Sequence, residues 1–202
     1  MTRVKLCGIT SLDDARMCVE HRPWAIGLIF VPHSRRRVRL SAASSITSAL
    51  RRQVEIAGVF ENAALDHVVG TTNELGLSIV QLHGDEGPSY CAEVARRTGA
   101  KVMKAVRVRS AEQVRALRTF PVDFHMLDGG GGESFEWSLA SERRSEIPLV
   151  VAGGLTPENV GAAIEATRPF AVDVASGVEA SPGVKDAQKV AAFVRAAEGA
   201  MV

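Results

Sequence analysis

Eight short apolar runs recur along the chain, each followed by an amphipathic, usually capped segment, and this alternation restricts the fold more than any other feature. The runs begin near Arg3, Trp24, Val54, Ser78, Lys101, Val122, Pro148 and Phe170. Most are apolar on both faces, as parallel strands covered by helices must be. Helix starts lie between them. Ser110 and Gln113 form a capping-box pattern ahead of "VRALR", Thr156 precedes Pro157 at a first helical position, and Ser11, Ser41 and Pro88 mark further starts. No low-complexity linker or shift in composition divides the chain, so residues 1–202 are expected to form one domain. Eight strand–helix units in one domain predict a closed (β/α)₈ TIM barrel. An open doubly wound sheet is the alternative built by the same alternation; the count of eight and the small loops favour the barrel.

Composition narrows the partners. Hydrophobic residues make up 46% of the chain, which excludes disorder throughout. A formal net charge of +1 argues against a general affinity for nucleic acid or anionic lipid. No segment resembles a signal peptide, and no apolar run would span a bilayer. Cys7, Cys18 and Cys91 are odd in number and form no CxxC pair, which fits reduced thiols in the cytoplasm and offers neither a disulfide framework nor a metal site. Neither nucleic acid nor a membrane is therefore an expected partner, and no metal is expected.

In a barrel of this kind, catalytic groups sit where strands end and βα loops begin. Those ends are Cys7 in "VKLCGIT", Phe30 before "VPHSRRRV", Phe60 before Glu61, His83 in "VQLHG", the segment "KAVRV", Asp128 in "MLD", and the glycine-bearing "VVAGG" and "VDVASG". Loops seven and eight carry Gly153, Gly154, Ser176 and Gly177. Glycine lets backbone N–H groups approach an anion, and these two loops are the recurrent phosphate site of such barrels.

Period-two alternation places Lys5 and Cys7 on one strand face. A lysine one layer below a thiol would lower its pKa and favour the thiolate. The competing arrangement pairs Lys5 with Asp173, which points inward from the neighbouring eighth strand and would screen that help. Asp128, in a dry pocket, is expected to keep its proton and act as an acid, where the plain alternative is a turn-capping aspartate. A thiolate base and a carboxylic acid across one pocket suit an isomerase that moves protons without a cofactor. "SRRRVR" holds four arginines in the second loop, one of which facing the pocket would grip a carboxylate in bidentate fashion. His83 reads equally as a substrate contact or a structural histidine.

Taken together, "KLCGIT", "GLIFVPHSRRRV", "GVFEN", "VQLHGDE", "MLD", "AGGLTPENV" and "FAVDVASGVEASPGVKD" resemble, in order and over nearly the whole chain, the phosphoribosylanthranilate isomerase family. The resemblance implies a (β/α)₈ barrel of tryptophan biosynthesis. Its reaction is an Amadori rearrangement of N-(5′-phosphoribosyl)anthranilate to 1-(2-carboxyphenylamino)-1-deoxyribulose 5-phosphate. Carried over by position, it implies Cys7 as general base, Asp128 as general acid and Arg36 as the ligand of the anthranilate carboxylate. Gly153, Gly154, Ser176 and Gly177 fall on the phosphate loops, and the family holds both monomers and homodimers. This chain departs from the pattern in an unbroken Gly129–Gly132 run directly after Asp128, expected to be mobile for want of ordering side chains, and in Glu133 where a basic or polar residue is usual. Ala152 and Ala175 stand where serine is common. A ProFAR isomerase-like enzyme would use two aspartates, against which Cys7 argues. A metal-dependent phosphopentose epimerase would need more strand-end ligands than His83 provides. A barrel that binds phosphate without catalysis is kept open by the altered sixth loop.

Overall fold

The computed structural model describes residues 1–200. Strand β1 (Arg3–Cys7) pairs in parallel with β2 (Ala25–Ile29) on one side and with β8 (Ala171–Val174) on the other, which closes the sheet. Around the circle between them run β3 (Glu55–Phe60), β4 (Ile79–Leu82), β5 (Lys101–Arg107), β6 (Phe124–Asp128) and β7 (Leu149–Ala152), each beside its sequence neighbour. The barrel, not the open sheet, is the outcome. Every strand begins within two residues of its expected start.

The helices are α1 (Leu12–Glu20), α2 (Leu40–Leu50), α3 (Leu65–Leu75), α4 (Pro88–Thr98), α5 (Ala111–Ala116) and α6 (Val160–Thr167) in the crossovers, and α7 (Ala187–Gly199) after the last barrel strand. Ser11 caps α1 by accepting from the Asp14 N–H, Ser110 caps α5 by accepting from the Gln113 N–H, and Pro88 opens α4. Two starts fall elsewhere than expected. Ser41 lies inside the first turn of α2, whose preceding residue Arg39 makes no side-chain cap, and α6 begins at Val160 after a turn that Thr156 and Pro157 open. The sixth crossover holds a 3₁₀ helix, Trp137–Arg143, in place of an α-helix. There the Ser141 hydroxyl donates to the Ser138 carbonyl, Arg144 turns left-handed at φ 43°, and Pro148 follows shortly after, all of which oppose a regular helix. An antiparallel hairpin, β9 (Glu179–Ser181) with β10 (Val184–Lys185), adds to the loop after β8 and was not anticipated.

Two hydrophobic layers follow from the two faces of the sheet. Ala25, Ala57, Ile79, Met103, Met126 and Val150 point into the barrel, and the lower end is plugged by Trp24, Phe124 and Phe170 in contact at centroid distances of 5.0–5.4 Å. The outward faces, including Leu6, Ile26, Leu28 and Val80, meet the helices through residues such as Ile46 and Phe193. Each such fully buried side chain contributes roughly 1.5–3 kcal/mol. No helix among the described residues is long and apolar enough to cross a membrane. The apolar filling stops short of the strands' carboxyl ends, where the inward positions become polar.

Candidate active site

The register that closes the barrel sets Lys5 opposite Asp173, and their side chains meet at 2.9 Å with Lys5 fully buried. Burial works to strip the Lys5 proton, but attraction to Asp173 and to the Cys7 sulfur outweighs it and holds the ammonium charged. Cys7 is the next inward residue of β1 and is 5% exposed. Burial pushes its thiol up, beyond what Lys5 and Lys185 offset, and the Asp173 charge adds to the rise. Lys5 does act to lower the Cys7 pKa, as expected, but it also pairs with Asp173, and desolvation outweighs it; the expectation that the thiolate would be favoured is therefore corrected.

Asp128 ends β6. One carboxyl oxygen accepts the Gly130 N–H at 2.6 Å, and the other stands 3.4 Å from His83 Nε2. His83 Nδ1 lies 3.2 Å from the Gln81 amide nitrogen, which can only donate, so the imidazole proton is assigned to Nε2, facing Asp128. Burial is the main reason the His83 pKa is lowered, and it outweighs the pull of Asp128. The neutral ring is thus the resting form.

These groups surround a cavity of about 380 Å³ at the carboxyl ends of the strands. Its wall includes Arg36, His83, Asp128, Gly153, Gly154, Asp173 and Ser176, seven of the nine residues the sequence nominated. Cys7 and Gly177 are not part of that wall. Cys7 is buried beside it, close enough to Arg36 for their charges to interact. Gly177 lets the loop after β8 settle on the one after β7, since a Cβ there would come 2.0 Å from the Leu155 carbonyl oxygen.

Loop six packs on loop seven. Gly130, Gly131 and Gly132 take φ of 80°, 63° and 86° and form a turn closed by the Glu133 N–H on the Gly130 carbonyl. Gly153, at φ 91°, lies so close beneath that a Cβ would come 2.3 Å from the Gly129 nitrogen and 2.9 Å from an Asp128 oxygen. Glycine is needed there on both counts.

The Arg36 head group is engaged by Glu179 through Nε at 2.9 Å and Nη2 at 2.7 Å. Three polar wall or support residues escaped the sequence reading. Arg107 ends β5 in "KAVRV" and was findable by the strand-end rule; Gln81, two residues before His83, shares its face. Glu179 gave no local signal, because its partner Arg36 lies 143 positions away. A second cavity of about 410 Å³ adjoins the first, shares His83 and Arg107, and has the Lys104–Glu86 ion pair in its wall. Among the described residues no group of three or more His, Cys, Asp and Glu is placed to hold a metal ion.

Comparison with known proteins places this geometry among relatives. The sequence model of the family described as N-(5′-phosphoribosyl)anthranilate (PRA) isomerase matches residues 4–196. An N-(5′-phosphoribosyl)anthranilate isomerase of Citrifermentans bemidjiense is 45% identical over 205 residues, covering 98% of both chains. A phosphoribosyl anthranilate isomerase solved in complex with reduced 1-(o-carboxyphenylamino)-1-deoxyribulose 5-phosphate is 40% identical, with a TM-score of 0.87, over 98% of this chain and 100% of the other. A structure of monomers made from the dimeric Thermotoga maritima enzyme is 41% identical with a TM-score of 0.87, at the same coverage.

Proposed function

Because the chain belongs to the N-(5′-phosphoribosyl)anthranilate isomerase family, we propose that the polar end of its barrel performs that family's proton transfers with Cys7 and Asp128. The chain is an isomerase of tryptophan biosynthesis that rearranges N-(5′-phosphoribosyl)anthranilate to 1-(2-carboxyphenylamino)-1-deoxyribulose 5-phosphate. The observation that carries the assignment of roles is the placement of Cys7 and Asp128 at inward positions on the same end of one barrel, beside a single cavity.

Asp128 protonates the furanose ring oxygen. The C1′–O bond breaks, and the anthranilate nitrogen supplies the electron pair for a C1′=N iminium. Its positive charge acidifies C2′, and the Cys7 thiolate takes that proton; the released pair forms the C1′=C2′ enolamine. Transfer of the C2′ hydroxyl proton and protonation of C1′ then give the ketone. Because burial keeps Cys7 as a thiol at neutral pH, the thiolate is a minority form in the unliganded site.

The phosphate is held by backbone N–H groups around Gly153, Gly154, Ser176 and Gly177, and the carboxylate by Arg36. Anchoring both ends leaves the reacting carbons little freedom. Asp173, with one oxygen on Lys5, presents the other to a sugar hydroxyl, and His83 Nε2–H steadies Asp128. No step calls on a metal or redox cofactor. Three free cysteines are consistent with the cytoplasm as the place of action. The chain acts as a monomer or, as in the dimeric Thermotoga maritima relative, a homodimer.

The test is loss of substrate fluorescence with freshly made phosphoribosylanthranilate. Cys7→Ser and Asp128→Asn are each expected to lower turnover by about 10²–10⁴-fold with the fold intact. Full activity in Cys7→Ser would remove the base from the mechanism.

A further inference from the structure

Arginine has five N–H donors arranged along more than one edge. In Arg36 the side edge, Nε and Nη2, lies on the Glu179 carboxylate. Nη1 has no hydrogen-bond partner among the described residues, and Arg36 lines the cavity. Two parallel donors, one on Nη1 and the second proton of Nη2, therefore remain for an incoming carboxylate. That end edge matches a carboxylate in bidentate geometry.

Glu179 is itself held. The Lys185 ammonium reaches one of its oxygens at 3.2 Å, and the Gly183 N–H donates to the same oxygen. Lys189 donates to its backbone carbonyl, and Thr10 ties the hairpin turn to the loop after β1 through the Gly183 carbonyl at 2.6 Å. Below, the arginine stem crosses Gly8, where a Cβ would stand 2.8 Å from Arg36 Cδ and where φ is 78°. Arg36 is thus seated on a glycine and fixed at its head. Arg36, Glu179 and Lys185 together leave one surplus positive charge, which suits a monoanionic group.

The geometry points to Glu179 as the positioning residue of the carboxylate subsite: it fixes the rotamer of Arg36 and leaves the guanidinium's end edge for the substrate's aromatic carboxylate. This rests on the reading of Arg36 as the carboxylate ligand. Without Glu179 the guanidinium loses its fixed edge and must be ordered when the ligand binds.

The experiment compares two ligands by calorimetry: reduced 1-(o-carboxyphenylamino)-1-deoxyribulose 5-phosphate and the same compound without its carboxylate. Arg36→Met is expected to abolish the preference for the carboxylated ligand. Glu179→Gln is expected to reduce that preference by about tenfold while binding the decarboxylated ligand as the wild type does, and to raise KM by about tenfold with little change in kcat. A preference that survives in Arg36→Met overturns the reading of Arg36. A preference lost in Arg36→Met but kept in Glu179→Gln overturns the role of Glu179 alone, as does equal weakening of both ligands, which marks a merely structural residue. A measurement on the wild type does not depend on the variants' folding: the clamp requires an arginine Nε–H resonance protected from exchange without ligand and missing in an Arg36→Lys spectrum. Its absence from the wild type also overturns the proposal.

Discussion

Cys7 Sγ occupies the space that a side chain at Gly27 would fill: the two residues are register partners on β1 and β2, and a Cβ on Gly27 would stand 2.6 Å from the sulfur. The Gly27 backbone is not left-handed, so the requirement is for room alone. Gly27→Ala is expected to push the sulfur out of line while leaving the phosphate and carboxylate anchors in place. kcat should fall by about 10²-fold with KM nearly constant, a typical cost for displacing a reacting group by an ångström. Steady-state kinetics beside a far-ultraviolet circular dichroism spectrum checks this; an unchanged kcat would mean the sulfur's position is not critical.

The direction of the Cys7 shift makes a kinetic prediction. An acid whose pKa is raised is deprotonated less at neutrality, so a base drawn from it gains strength as pH climbs. kcat/KM is expected to keep rising past about pH 8.5, the ordinary cysteine value. A plateau already reached near neutrality would show a thiolate formed in advance, contrary to a thiol protected by burial. The profile is measured at saturating and at low substrate, so that ionisation of the free enzyme is separated from that of the complex.

What the sequence made legible divides along physical lines. Strand positions were readable because apolar runs and turn residues are local signals, and Ala25 and Phe124 lie only one and two residues past the expected starts at Trp24 and Val122. The Lys5–Asp173 pair was readable as an alternative because period two and the adjacency of first and last strands fix both partners. The sign of the Cys7 shift was not, since it depends on how tightly the barrel packs around the sulfur, and the neighbouring charge visible in "VKLC" is the lesser effect. The Arg36–Glu179 pair was invisible for a different reason. Four arginines crowd the second loop, and nothing local says which one a hairpin after the eighth strand will hold. The lack of an α-helix in the sixth crossover follows from serine side chains competing for backbone groups, an effect that the strand–helix alternation does not register.

Lys104 and Glu86 form another buried ion pair, 2.8 Å apart with side-chain exposures of 3% and 2%. Glu86 also accepts the Asn62 and Gly84 N–H groups, and Lys104 donates to the Gly84 carbonyl, so one cluster binds the loops after β3 and β4 to strand β5. Lys104→Met leaves a buried carboxylate without its counter-ion and is expected to cost about 3–5 kcal/mol. For a chain of this length that corresponds to a Tm lower by roughly 10 °C. Adding Glu86→Gln removes the stranded charge, keeps one acceptor for the two N–H groups, and should recover part of the loss. Thermal melts of the single and double variants test this; a single variant within about 1 kcal/mol of wild type would mean the cluster contributes little.

His125 sets an acid limit on the fold. It points outward from β6, is fully buried, and has Arg143 Nη1 at 3.2 Å from its Nδ1. Burial first and the Arg143 charge second lower its pKa to about 4. The unfolded chain takes up this proton near the ordinary value of about 6.5, whereas the folded chain refuses it until far lower pH. The stability from this residue is therefore complete above about pH 6.5 and is lost as pH falls through the folded value, with a total of at most about 3 kcal/mol. His125→Asn keeps an acceptor for Arg143 and cannot take up the proton. Urea midpoints measured at about pH 7, 5.5 and 4.5 should fall more steeply for the wild type than for the variant, because carboxylates titrate alike in both and cancel in the comparison. Parallel curves would mean that the histidine is protonated in the folded chain, with the Arg143 contact rearranging to admit the charge.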